Sequence, residues 1–187
     1  MLDKADKKIL LSIARQAVEF STKKLSLPTL NLSDLPNSLR EMGASFVTLT
    51  RFGELRGCIG TLEAHQPIAL DVQEHAAAAA VDDYRFPPVR SEEVNEINIE
   101  ISLLTPNQPL KYSSPQDLLN KLKPGVDGVI LKHGFNRATF LPQVWEKLPG
   151  KEEFLSHLCM KMGASPDLWR TDKPDVLIYQ VEEFKED

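Results

Sequence analysis

The run Leu55-Arg56-Gly57-Cys58-Ile59-Gly60 places a thiol two residues from a guanidinium and between two glycines. Side chains alternate faces along an extended segment, so this spacing predicts that Arg56 and Cys58 share one face. A cation that close favours thiolate over thiol and lowers a cysteine's pKa from its usual ~8.5, the state a nucleophilic or redox cysteine needs. Gly57 and Gly60 let a ligand or a second backbone approach closely. A cysteine nucleophile also needs a base within hydrogen-bond reach. Of the four histidines, His133, in a predicted turn, is the leading candidate and His65 the second, while His75 and His157 fall on predicted helices. Glu63 has the parity to join the Arg56 and Cys58 face if the strand runs that far, as proton acceptor or as an ion-pair partner of Arg56, and the ion pair is preferred. Glu54 is a second such partner. The alternative for Cys58 is a small buried core residue.

Two further side chains are candidates for holding a ligand. Arg85, in Arg85-Phe86-Pro87-Pro88, either binds an anion or caps the helix before it, and capping is preferred because a cation meets the negative end of the helix dipole there. Gln143, in Leu141-Pro142-Gln143-Val144, follows a predicted strand and has an amide suited to hydrogen-bonding a ligand. A metal site is not expected: zinc needs three or four closely spaced ligands, and His157 and Cys159 stand two apart on a helix, facing different sides. Neither a GxxxxGK[ST] loop nor a GxGxxG after a strand is present, so no nucleotide cofactor is expected.

The elements that must position these residues can be read from periodicity. Ile9, Leu10, Ile13, Ala14, Ala17 and Val18 predict a helix over 5–22. Pro28, Pro36 and Gly43 punctuate a loop over 26–43 with room for one short helical turn. A hairpin over 45–50 and 55–61 turns at Arg51-Phe52-Gly53-Glu54. Pro67 opens a helix to about Asp83, whose run Ala76–Ala80 suits close packing on a sheet. Ile97, Ile99, Ile101 and Leu103 alternate with Asn98, Glu100 and Ser102, the clearest strand. Ser114-Pro115 starts a helix through Leu122, and a second hairpin spans 128–132 and 137–141. Phe154, Leu155, Leu158 and Met162 form a helical stripe closed by Gly163, with Cys159 on its inward side, and 176–181 reads as a final buried strand. Helices and hairpins interleave without a βαβ period, so the fold class is α+β rather than a doubly wound parallel sheet.

Composition bounds the rest. The chain of 187 residues suffices for one buried core or two small lobes sharing one. With 42% apolar and 26% charged residues it matches folded soluble domains. A net charge of −5 without a basic stripe makes nucleic acid a poor partner. Ala76–Val81 is too short to span a membrane, and Asp3, Lys4, Asp6, Lys7 and Lys8 interrupt any secretory signal. The two cysteines are a hundred residues apart and form no CxxC pair, so reduced thiols and a cytoplasmic location are expected.

Taken in order, Leu55–Gly60, Arg85–Pro88, Leu104-Thr105-Pro106, Leu141–Val144, and Cys159 with Lys161 and Gly163 resemble the AMMECR family, whose prokaryotic members are called AmmeMemoRadiSam system protein A. The likeness runs from about Leu10 to Phe184. It implies one α+β domain over 1–187, composed of two packed subdomains with largely antiparallel or mixed sheets, flanking helices and a cleft between lobes. It also implies genetic association with a Memo-like protein and a radical-SAM protein, while leaving the family's activity open. Its working segment maps onto Arg56, Gly57, Cys58, Ile59 and Gly60. Two functions follow as expectations: a Cys58-dependent enzyme acting on a small molecule or modified protein, or a non-catalytic adaptor presenting Arg56–Gly60 to a partner.

Overall fold

The computed structural model describes residues 2–186. In chain order the elements are α1 (Lys4–Thr22), α2 (Asn37–Arg40), β1 (Met42–Arg51), β2 (Glu54–Gly60), β3 (Gln66–Pro67), α3 (Ile68–Val81), β4 (Ile97–Leu104), β5 (Gln108–Pro109), α4 (Pro115–Lys121), β6 (Gly128–His133), β7 (Asn136–Phe140), α5 (Lys151–Lys161), α6 (Leu168–Thr171), β8 (Asp175–Tyr179) and β9 (Val181–Lys185). The fold is α+β, and every pairing described between strands is antiparallel. Two compact units emerge, residues 2–104 with 182–186, and Thr105–Val181.

In the first unit the strands lie in the order β2-β1-β4-β9, with β3 paired to the first two residues of β1. The β1–β2 hairpin closes through Phe52 and Gly53, both with positive φ (53° and 85°), the backbone that matches the right-handed twist of the flanking strands. Val47 and Leu49 of β1 and Ile97, Ile99, Ile101 and Leu103 of β4 form one apolar face, as the alternation on β4 predicts. Against it pack the apolar stripe of α1 and the alanines of α3. Asp71, buried on α3, is satisfied by the Ser45 hydroxyl at 2.6 Å and the His75 ring at 3.2 Å, as a buried carboxylate requires.

The second unit carries a sheet ordered β5-β8-β6-β7. Its core is built on Trp145, Phe154, Leu158, Cys159 and Trp169. The Trp145 and Phe154 rings stack at 3.6 Å, and the Trp145 indole donates to the Asp127 carbonyl at 2.7 Å, which settles its one polar atom. Gly163, with φ 80°, closes α5 as its spacing predicts.

The last expected strand, over 176–181, is corrected: it is two strands in two different sheets, β8 and β9. The break has a local cause at Gln180, whose carbonyl accepts from the Thr105 N–H and whose N–H donates to Thr105 Oγ1. Both its backbone groups are thereby taken out of a ladder. Short helical turns at Ser91–Glu96, Pro142–Glu146 and α6 were not expected from periodicity, because they are too short to show one.

Ile101 is fully buried in the centre of the first core. Ile101→Ala is expected to cost about 2–5 kcal/mol through the cavity it leaves, measured by denaturant unfolding. A cost below ~1 kcal/mol would show that β4 does not anchor the core.

Candidate functional site

Strand β2 lies at one edge of its sheet, and its outer rim runs past the segment after α3. Between Leu49, paired with Gly57, and Thr50, paired with Leu55, the register slips by one residue. Arg56 is the extra residue of a β-bulge, and a bulge re-aims the side chain it carries. Gly57 faces α3: a Cβ there would lie 2.1 Å from the Ala79 carbonyl oxygen, so only glycine admits the helix backbone. Gly60 is similarly enclosed, by the Ser45 carbonyl and the Phe46 ring.

The expectation that Arg56 and Cys58 share one face rests on regular alternation, which the bulge interrupts. The Arg56 guanidinium donates to the carbonyls of Pro87 at 2.7 Å and Pro88 at 3.3 Å, and pairs with Glu93 at 3.2 Å. Its partner is thus Glu93, not Glu63 or Glu54. The half-buried Cys58 thiol instead accepts from Thr48 Oγ1, its cross-strand neighbour, at 3.4 Å.

What holds Cys58 is its backbone. Its N–H donates to Asp83 Oδ2 at 2.8 Å, and its carbonyl accepts from Arg85 Nη2 at 3.1 Å. Asp83 and Arg85 are themselves joined, Arg85 Nε to Oδ1 at 2.9 Å and Nη2 to Oδ2 at 2.7 Å. This pair supplies one donor and one acceptor to the strand edge, as a neighbouring strand would. Arg85 is therefore not the helix cap expected of it. Its hydrogen bonds hold the Asp83 carboxyl far below the usual carboxylate range, against the opposing effect of burial. In return the hydrogen bonds and charge of Asp83 raise the pKa of the Arg85 guanidinium.

Glu93 is the second centre of charge. Its carboxylate accepts the Arg90 N–H at 2.8 Å and pairs with Arg51 at 2.9 Å as well as with Arg56. The Arg90 amide, then Arg56 and Arg51, hold its pKa down from 4.5 to about 2 although the side chain is only 7% exposed.

The remaining candidates belong to other segments of the chain. Strand β2 ends at Gly60, so Glu63 does not continue its face, and Glu63 lies 3.6 Å from His65. His133 belongs to the second unit, where it is the last residue of β6 rather than part of a turn and pairs with Asp172 at 2.9 Å. Gln143 is also in the second unit, in the helical turn Pro142–Glu146. Among the described residues no group of three or more His, Cys, Asp or Glu is placed to hold a metal ion, and no helix is long and apolar enough to cross a membrane. Sequence reading missed Asp83 and Glu93. The only signal for either is an acidic residue set close to an arginine, Asp83 two before Arg85 and Glu93 three after Arg90.

Two measurements follow. Thiol labelling of the folded protein is expected to modify Cys58 first, because Cys159 is 0% exposed and burial pushes its thiol up. Earlier labelling of Cys159 would overturn this. Because the folded pKa of Glu93 is depressed, its contribution is present above the unfolded value near 4.5 and is lost as pH falls toward about 2. Unfolding followed across that window is expected to show a steeper acid loss for the native chain than for Glu93→Gln. Parallel profiles would remove Glu93 from the acid response.

The AMMECR1 family model matches residues 11–184. The chain is 40% identical to a Methanothermobacter thermautotrophicus protein over 100% of this chain and 97% of that one. It is 38% identical to Protein MJ0810 of Methanocaldococcus jannaschii over 83% and 79% of the two chains. The crystal structure of an uncharacterized protein, PH0010, from Pyrococcus horikoshii superimposes with a TM-score of 0.87 at 34% identity, covering 100% of this chain and 94% of that one. With a family match across nearly its whole length and the same fold in a related archaeal protein, the chain belongs to the AMMECR1 family.

Proposed function

We propose that the Arg56–Gly60 segment and the loop beside it form a recognition surface for a partner protein, so that the chain acts as a binding module. The observation that carries it is where the charges go. Both arginines flanking Cys58 are committed to carboxylates and carbonyls, and the hydrogen-bond partner described for the thiol is a threonine hydroxyl. A thiol poised for nucleophilic attack needs an adjacent base, whereas a docking surface needs rigid backing. The Asp83–Arg85 clamp supplies that backing, and in front of it Tyr84 stands 95% exposed beside Phe86, Pro87 and Pro88. Exposed aromatics held on a rigid frame are the residues that most often anchor protein interfaces. Arg90, 74% exposed at the rim, favours an acidic segment on the partner.

Cys58-dependent catalysis is the competing function, and the half-buried position of the thiol keeps it testable. The family resemblance points to Memo-like and radical-SAM proteins as the partners to try first. Titration of a Memo-like protein by calorimetry is expected to show binding that Tyr84→Ala weakens at least tenfold, the size of an interface anchor at about 1.4 kcal/mol. Unchanged binding in Tyr84→Ala, or a covalent adduct on Cys58 from turnover, would reject the binding module in favour of thiol chemistry.

A further inference from the structure

The second unit contains a cavity of about 640 Å3 where the chain enters β8, lined by residues of that unit. Lys111, Lys132 and Lys173 line it together with one carboxylate, Asp175. Among the described residues none of the three ammonium groups enters an ion pair. Lys132 and Asp175 are register partners on β6 and β8, which fixes both at one side of the opening. The apolar lining includes Tyr112 and Leu177. The Tyr112 hydroxyl donates to the Pro174 carbonyl at 2.6 Å, and the Lys173 ammonium sits 5.8 Å from the centre of the Tyr112 ring. Lys173 holds a left-handed backbone, φ 44°, which a glycine would adopt with less strain.

Three lysines against one aspartate leave an excess of positive charge in a concave site, where charges of one sign reinforce one another. Lysine ammonium groups serve as point charges for phosphate. An apolar wall beside a few convergent polar groups is the usual form of a small-molecule site. We infer that this cavity binds a small organic dianion, a phosphate monoester with an aromatic or apolar body, its phosphate among Lys111, Lys132 and Lys173 and its body against Tyr112 and Leu177.

The test is calorimetric titration of the full chain with phenyl phosphate, inorganic phosphate and phenol, and with a phosphotyrosine pentapeptide to separate a free ester from a phosphorylated protein. Phenyl phosphate is expected to bind at least tenfold more tightly than inorganic phosphate, with no binding of phenol and no gain for the peptide. Lys132→Gln is expected to weaken phenyl phosphate about tenfold. Lys173→Gly should weaken it similarly without lowering Tm, because the strained backbone is relieved while the charge is lost, so a folding defect cannot produce the result. Equal affinity for phosphate and phenyl phosphate, unchanged binding in both variants, or tenfold tighter binding of the peptide would each overturn the assignment.

Discussion

A strand at the edge of a sheet presents backbone N–H and C=O groups that must find partners or invite another chain, and in β2 that edge runs through the segment carrying the thiol. Cys58 is the residue whose two outward backbone groups are answered, one by Asp83 and one by Arg85. Because these two side chains are also bonded to each other, the clamp is one unit, and removing either member leaves the other's charge uncompensated in a site where Asp83 is buried. The position of α3 follows from the same place: the Ala79 carbonyl reaches the strand only where Gly57 has no side chain. The chain that leaves α3 therefore arrives beside β2 in register to supply the clamp.

The bulge at Arg56 then divides labour between two arginines that look alike in the sequence. Arg56 is directed to Glu93 and the proline carbonyls, tying the strand to the loop after α3, and Arg85 holds the thiol's own backbone. Glu93 gathers Arg51, Arg56 and the Arg90 amide around one buried carboxylate. Charge-assisted hydrogen bonds of this kind are stronger than neutral ones and fix geometry as well as energy. A segment held so firmly on its charged side is suited to presenting a surface, which is the basis of the proposed role for the exposed Tyr84 next to the clamp.

The second unit meets its own constraints differently. It buries two tryptophans, Trp145 and Trp169, and each indole N–H has a partner, the Asp127 carbonyl and the Ser156 hydroxyl. The ends of the unit are tied at Thr105 and Gln180, so where the strand path changes sheets both backbone groups of Gln180 have partners. Positive charge gathers instead in the lysine-lined cavity at the start of β8.

Much of this was legible in the sequence. The alternation from Ile97 to Leu103, the stripe of α1, the β1–β2 hairpin and the end of α5 at Gly163 are consequences of side-chain periodicity and backbone freedom, which act over a few residues and need no tertiary information. The segment Leu55–Gly60 stands out in the sequence by its thiol, its guanidinium and its two glycines. Which partners those residues take was not legible. A one-residue bulge at Arg56 changes where its side chain goes, and nothing in the local pattern marks it. Glu93 meets Arg56 across 37 residues and Asp83 meets Cys58 across 25; Glu63 was the nearer acid in sequence and lies outside the strand. Ion pairs and backbone clamps depend on distances in space, and only the packing of α3 against β2 decided them.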